Sequence, residues 1–371
     1  MNFDFTDDQE QLRDAVRRWV DKAYTFERRH AIVKAGGFDA KAYAELAELG
    51  LCGLTIDDAH GGLGMGPVEA MVVMEELGRG MVLEPLTHTL MASALLGQHA
   101  NAALQEKWLP AMAAGEALVV LAHQERAARY QTGVCAASAT QTAQGWLVNA
   151  TKHVVPAGDR AQAFIVPAMA GDQLALFVVD AAAAGASATG YTTQDGSRAA
   201  TLVLAAAPAQ LLTQDGRGAL AQALDIGIAA ACAQAVGIMD KTLAVTVEYM
   251  NTRKQFGVTI STFQALRHRV ADMKMQLELA RSMSYYASLK LGAAPSERHL
   301  ALARAKYQLG VSMRFVGQQA VQLHGGIGVT DEYIVSHYFK ALTQLEMQFG
   351  DSLHHLGQVS QGMQDTAGVF A

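Results

Sequence analysis

Two short segments combine residue types that could hold a phosphorylated, planar ligand. The first is Asn251-Thr252-Arg253-Lys254-Gln255-Phe256-Gly257, which ends one predicted long helix, with Phe263-Gln264 opening the next. An arginine fork matches phosphate oxygens, and an aromatic at the same elbow could pack on a flat ring. The same residues also suit an ordinary helix end, where basic side chains favour the dipole and Gly257 terminates the turn. The second segment is Gln322-Leu323-His324-Gly325-Gly326-Ile327-Gly328. Adjacent glycines let backbone amides approach a ligand closely, although glycines between helices also serve as plain turns. No Gly-Lys-Ser/Thr follows, so this is not a Walker loop, and no strand precedes it as a Rossmann fingerprint requires.

Other clusters offer less. His354-His355 with Asp351 has metal-ligand residue types, but adjacent histidines leave a helix on different faces. Glu125, Arg126 and Arg129 read as a solvated charge cluster. No Gly-x-Ser-x-Gly elbow is present, which removes support for serine-hydrolase chemistry.

The elements that must position these segments fall into three stretches. Residues 1–112 have a helical period, opened by a capping box from Thr6 to Gln9 and an apolar stripe through Leu12, Val16, Trp19 and Val20. Residues 113–208 hold only 11 charged residues and short β-type runs, Leu118–Ala122, Trp146–Val155, Ala163–Val166, Leu174–Val179 and Thr201–Leu204, which suggest an antiparallel sheet or barrel. Residues 209–371 return to helix in longer segments, which bury their stripes against one another as a bundle. There, Ser261 to Gln264 reads as a second capping box. Phe263, Leu266, Val270, Met273, Leu277 and Ala280 read as one buried stripe.

Composition narrows the function classes. Of 371 residues, 51% are hydrophobic and 17% charged, against roughly 25% charged in an average soluble domain. With a mean hydropathy of +0.12, much surface must be buried within domains or between subunits. A net charge of −6 without basic blocks argues against nucleic acid. Three scattered cysteines, Cys52, Cys135 and Cys232, exclude a disulfide scaffold and read as thiols in a reducing compartment. The acidic opening Met1–Asp8 does not read as a signal peptide, and the apolar run 226–239 falls short of the ~20 residues that span a bilayer. The expectation is a soluble, cytoplasmic oligomer.

Taken together, the order of the stretches and both segments resemble the acyl-CoA dehydrogenase family over essentially the whole chain. Arg253-Lys254-Gln255-Phe256-Gly257 is similar to its Arg-x-x-Phe-Gly elbow, Phe263-Gln264 to the glutamine that follows, and Gln322–Gly328 to its Gln-x-x-Gly-Gly-x-Gly loop, with Glu332-Tyr333 after it. The two motifs lie about 65 residues apart. Within the family, Phe3-Asp4-Phe5 and Phe349-Gly350-Asp351 resemble the small subunits of the pimeloyl-CoA dehydrogenase type. The resemblance implies an α+β fold: an N-terminal helical domain, a middle β-barrel or sheet domain and a C-terminal four-helix bundle. It implies FAD, an acyl-CoA substrate, α-proton removal by a base with β-hydride transfer to flavin, and an electron-transferring flavoprotein as acceptor. It assigns Arg253, Gln255, Phe256, Gln264, Gln322, Gly325 and Gly326 to the FAD of a neighbouring subunit.

The chain departs from the family where a subunit serves its own flavin. The two places at which members carry the catalytic glutamate map onto Phe349 and near Gly227, neither acidic. Asp351 and Asp225 lie two residues away and are one methylene shorter. The flavin-binding Thr-Glu-Pro-x-x-Gly-Ser segment maps onto Gln124–Tyr130. The flavin-covering Trp-Ile-Thr/Ser segment maps onto Val154-Val155-Pro156, where valine gives no aromatic cover and proline no backbone donor. This asymmetry implies the non-catalytic small subunit of a heterotetramer with one FAD per heterodimer. The alternatives are a homomeric dehydrogenase with a displaced carboxylate, and a flavin-free assembly scaffold.

Overall fold

The computed structural model describes residues 4–364. Phe3 of the Phe3-Asp4-Phe5 similarity therefore lies outside the described residues. Six helices come first: α1 (Asp7–Ala23), α2 (Phe26–Lys34), α3 (Ala40–Glu48), α4 (Pro67–Arg79), α5 (Leu86–His99) and α6 (Ala102–Ala113). Seven strands follow: β1 (Val119–Leu121), β2 (Ser138–Thr142), β3 (Gly145–Pro156), β4 (Ala163–Ala170), β5 (Gln173–Asp180), β6 (Ala186–Thr192) and β7 (Arg198–Thr213). The chain then runs through α7 (Gly216–Thr252), a hairpin of β8 (Lys254–Gln255) and β9 (Val258–Thr259), α8 (Gln264–Lys290), α9 (Pro295–His324), α10 (Ile334–Met347) and α11 (Ser352–Gln364). The order is helical, then β, then helical, as the periods require. Contacts divide the chain into two compact units, one of residues 30–66 and 83–227, the other of residues 4–29, 67–82 and 228–364.

The first unit is built on the β strands. Strands β4, β2, β3, β7 and β5 pair in that order and β5 returns to β4, so the sheet closes on itself, with β1 beside β4 and β6 beside β7. Closure leaves fewer edges to protect. Strands β4 and β5 are buried along nearly their full length and joined through Gly171, whose φ of 63° suits a two-residue hairpin loop. The Thr142–Gly145 turn joins β2 to β3. Strands β2 and β6 carry no apolar run: Ser-Ala-Thr-Gln-Thr and Ala-Ser-Ala-Thr-Gly-Tyr-Thr are held by pairing with β3 and β7 rather than by a hydrophobic face.

The second unit is helical. The Thr6–Gln9 capping box forms as expected, with both reciprocal bonds in place. Helices α4 and α7 cross backbone to backbone: a Cβ on Gly78 would meet Gln234 O at 2.1 Å, and one on Gly237 would meet Glu75 O at 1.8 Å. Ion pairs bracket the crossing, Arg79 to Asp240 at 2.5 Å and Arg281 to Glu75. By length and composition α7 could cross a membrane, but 72% of its most apolar window is buried inside the protein. A core helix disposes of its apolar surface in this way.

Two expectations about α8 need correction. Ser261 does not cap it; Ile260–Thr262 form a 3-10 turn, and the Ser261 hydroxyl pairs with Thr259 at 3.1 Å. Nor is the stripe buried throughout. Met273, Leu277 and Ala280 are fully buried, whereas Phe263 is 37% exposed and Leu266 and Val270 are half-buried, so the described residues cover only the later part of the stripe.

Candidate functional site

The elbow begins where α7 runs out. Arg253 N–H still bonds Tyr249 O, and Arg253 O accepts from Ile260 N–H across the β8–β9 hairpin. The hairpin turn is Phe256-Gly257, with φ of 53° and 80°. Both central residues are left-handed, the conformation a two-residue turn needs to match strand twist. A bulky residue is strained there. The turn throws Phe256 outward to 91% exposure, edge-on to Phe263 at 6.1 Å. Arg253 and Gln264 are also exposed, and the Arg253 guanidinium makes no hydrogen bond or ion pair among the described residues. Gln255 turns back to bond Lys254 O at 2.8 Å.

The glycine loop begins at the end of α9, and its glycines serve different purposes. Gly325 has φ 63° and ψ −140°, which a residue with a Cβ adopts only under strain. Gly328 packs against the preceding turn, where a Cβ would lie 2.8 Å from Val321 O. Gly326 has ordinary backbone angles, is exposed, and a Cβ on it would meet nothing within 4 Å. Folding does not require glycine there, so its bare backbone is free for a ligand to approach. Gln322, one turn back on α9, is likewise exposed.

A contact missed in the sequence joins the two motifs. Tyr249, four residues before Arg253, donates its hydroxyl to His324 O at 3.3 Å, and the rings stack at 4.3 Å between centroids. Tyr333 closes the cluster 5.3 Å from His324. An arginine, an exposed aromatic, three glutamines and an open glycine backbone are thus presented by one unit. This donor set fits the diphosphate and adenosine of a dinucleotide.

The positions that bear acid in relatives are arranged differently. Phe349 is buried, with φ 59°, in a turn whose carbonyls are taken up internally. Lys306, 1% exposed, donates to Glu346 O and Gly350 O, each at 2.9 Å, and His355 bonds Phe349 O at 3.1 Å. Burial pushes the Lys306 ammonium down to about 8. The Asp351 carboxylate accepts His354 N–H at 2.8 Å and so caps α11. Gly227 and Asp225 are buried on α7.

Of the charge cluster in the β segment, Arg126 and Arg129 are exposed as expected and Glu125 is not. Glu125 is buried: its carboxylate accepts Lys152 Nζ at 2.6 Å and the N–H groups of Ala136 and Ala137 at 2.7 and 3.2 Å. Lys152, fully buried, also donates to Pro167 O at 2.8 Å. Burial raises the Glu125 carboxyl, but the ammonium and backbone donors outweigh it and hold the group below its ordinary value. Val154, with φ 51°, gives its N–H to Tyr191 Oη at 3.0 Å.

Residues 6–116 match the acyl-CoA dehydrogenase N-terminal domain and residues 214–364 the acyl-CoA dehydrogenase C-terminal domain, together well over half the sequence. The chain belongs to the acyl-CoA dehydrogenase family. It is 26% identical over 376 residues to acyl-CoA dehydrogenase FadE27 of Mycobacterium tuberculosis, covering 99% of this chain and 100% of that one. A variant of the Tcur3481-Tcur3483 steroid ACAD superposes with a TM-score of 0.90 at 29% identity, over 97% of this chain and 98% of the other. The ChsE4-ChsE5 complex from Mycobacterium tuberculosis shares the fold, with a TM-score of 0.89 at 24% identity over 99% and 100% of the two chains. The acyl-CoA dehydrogenase fold thus accounts for both helical regions and the sheet between them.

Proposed function

We propose that this chain is the non-catalytic small subunit of a heteromeric, FAD-dependent acyl-CoA dehydrogenase. One contrast carries the reading. Arg253, Phe256, Gln264, Gln322 and the Gly325-Gly326 backbone, expected to reach a neighbour's FAD, are exposed, while on the chain's own side Phe349 is apolar and buried and Glu125, the Val154 N–H and Asp351 are engaged internally. Arg253 would pair with the diphosphate, Gly325-Gly326 would admit the adenosine side, and Phe256 would pack beside the cofactor. Bound FAD supplies the hydride acceptor. The base would come from the larger subunit, because Phe349 cannot take a proton and Asp351 is engaged in capping α11. On the chain's own side, the Val154 N–H is already given to Tyr191 and Glu125 is turned inward to Lys152.

Two observations support a partner. The elbow and α8 leave apolar side chains uncovered, Phe256 at 91%, Phe263 at 37% and Met275 at 53% exposure, and exposed apolar surface of this kind marks an interaction site. The steroid ACAD relative is itself named for two components. The proposed setting is cytoplasmic, as a heterotetramer of two large and two small subunits, with an electron-transferring flavoprotein as acceptor.

Asp351→Asn in an active complex separates this reading from a homomeric enzyme with a displaced base. Asparagine is as good a helix cap, so folding is retained. The expected result is an unchanged turnover rate. A loss on the order of a hundredfold or more would identify Asp351 as the base.

A further inference from the structure

We infer that Tyr249 and His324 are positioning residues that set the distance between the arginine elbow and the glycine loop, so that the two halves of a dinucleotide site are built as one preorganised piece. The inference rests on the reading that these two motifs hold FAD. Four observations carry it. Tyr249 is half-buried on the last turns of α7, and Arg253 N–H bonds its carbonyl, so the elbow moves with it. Its hydroxyl donates to His324 O at 3.3 Å, the carbonyl at the junction of α9 with the 3-10 turn Gly325–Val329. The rings stack at 4.3 Å, which fixes the angle as well as the distance. His324 is 3% exposed and leads directly into Gly325.

The histidine is held in one state. Its Nδ1 donates to Ala320 O at 2.8 Å, which fixes the tautomer and leaves Nε2 a bare acceptor, buried without a partner. Protonation would put an unpaired charge beside buried surface, so burial holds its pKa below the ordinary value. A ring locked by the Ala320 bond is a rigid face for Tyr249. Gly325–Val329 form a 3-10 turn in which Gly325 and Gly326 have no side chain to pack against the rest of the protein. Contacts at His324 fix where that turn sits relative to the elbow. Holding both halves in place before binding lowers the ordering cost that a ligand would otherwise meet.

Tyr249→Phe removes only the hydroxyl and retains the stack; Tyr249→Leu removes both. Amide hydrogen exchange is measured on the full chain, and FAD retention on the complex copurified with its larger subunit, with Arg253→Ala alongside. The expected result for Tyr249→Phe is faster exchange confined to residues 325–328 and FAD binding weakened roughly fivefold to tenfold, as loss of one hydrogen bond implies. Tyr249→Leu should weaken binding further. Unchanged exchange and unchanged FAD binding in Tyr249→Phe would overturn the inference, and so would exchange accelerated evenly over the whole chain. If Arg253→Ala weakens FAD binding and Tyr249→Phe does not, the positioning role fails while the cofactor reading stands. If Arg253→Ala has no effect on FAD, the cofactor reading fails, and the exchange of residues 325–328 alone decides the coupling.

Discussion

Arg253→Ala in the assembled complex is expected to weaken FAD retention roughly a hundredfold while leaving the stability of the isolated chain within about 0.5 kcal/mol. The two halves of this expectation have separate causes. In the free chain the guanidinium is exposed and makes no hydrogen bond or ion pair among the described residues, so its removal leaves nothing unpaired. Against a diphosphate enclosed between two subunits, as proposed, the same group would form charge-assisted, bidentate bonds, and its loss would strand phosphate charge in a drier environment. Lys254→Ala, next along an exposed strand, removes a point charge without the fork and should cost far less. The check is flavin remaining on the complex after dilution, read from its visible spectrum. Equal effects at the two positions would argue for general electrostatic attraction instead of a specific site.

Lys152→Met should destabilise the chain by about 3–5 kcal/mol, since it leaves a carboxylate buried without its cation. Glu125 would retain the N–H groups of Ala136 and Ala137 but lose the 2.6 Å ammonium contact. Pro167 O would lose its donor at the same time. Replacing both partners, Lys152→Met with Glu125→Leu, removes the stranded charge and should recover much of the loss. Urea unfolding of the four proteins closes the cycle. Additive single effects would show that the pair is not coupled, contrary to the geometry.

What could be read in advance follows from how local each signal is. The elbow and the glycine loop each place their chemistry-bearing residues within seven consecutive positions, so spacing alone exposes them. The same holds for the Thr6–Gln9 capping box. Ser261 and Gln264 have the right spacing but the wrong backbone, since the 3-10 turn before α8 moves the cap to Phe263. Strands β2 and β6 were hidden because small polar residues carry no alternating apolar signal, and only their neighbours hold them extended. Glu125 looked solvated because nothing near it in sequence announces Lys152, 27 residues on. Tyr249 and His324 are 75 residues apart, and Lys306 meets Gly350 across 44. Such pairings depend on helix packing, which one-dimensional periodicity does not specify.

The exposed end of the α8 stripe has a similar explanation. Periodicity marks a face for burial without saying what covers it. The later stripe residues Met273, Leu277 and Ala280 are covered, Phe256 and Phe263 at the start remain open, and Met275 and Leu279 are exposed off the stripe. The low charge content that first suggested buried interfaces is accounted for by two compact units together with this uncovered face.

The most direct test purifies the chain alone and together with its larger partner, and measures FAD content and acyl-CoA turnover for both. One FAD per heterodimer and full turnover are expected for the complex, with neither stoichiometric flavin nor turnover for the chain alone. Stoichiometric FAD and full turnover by the isolated chain would contradict this.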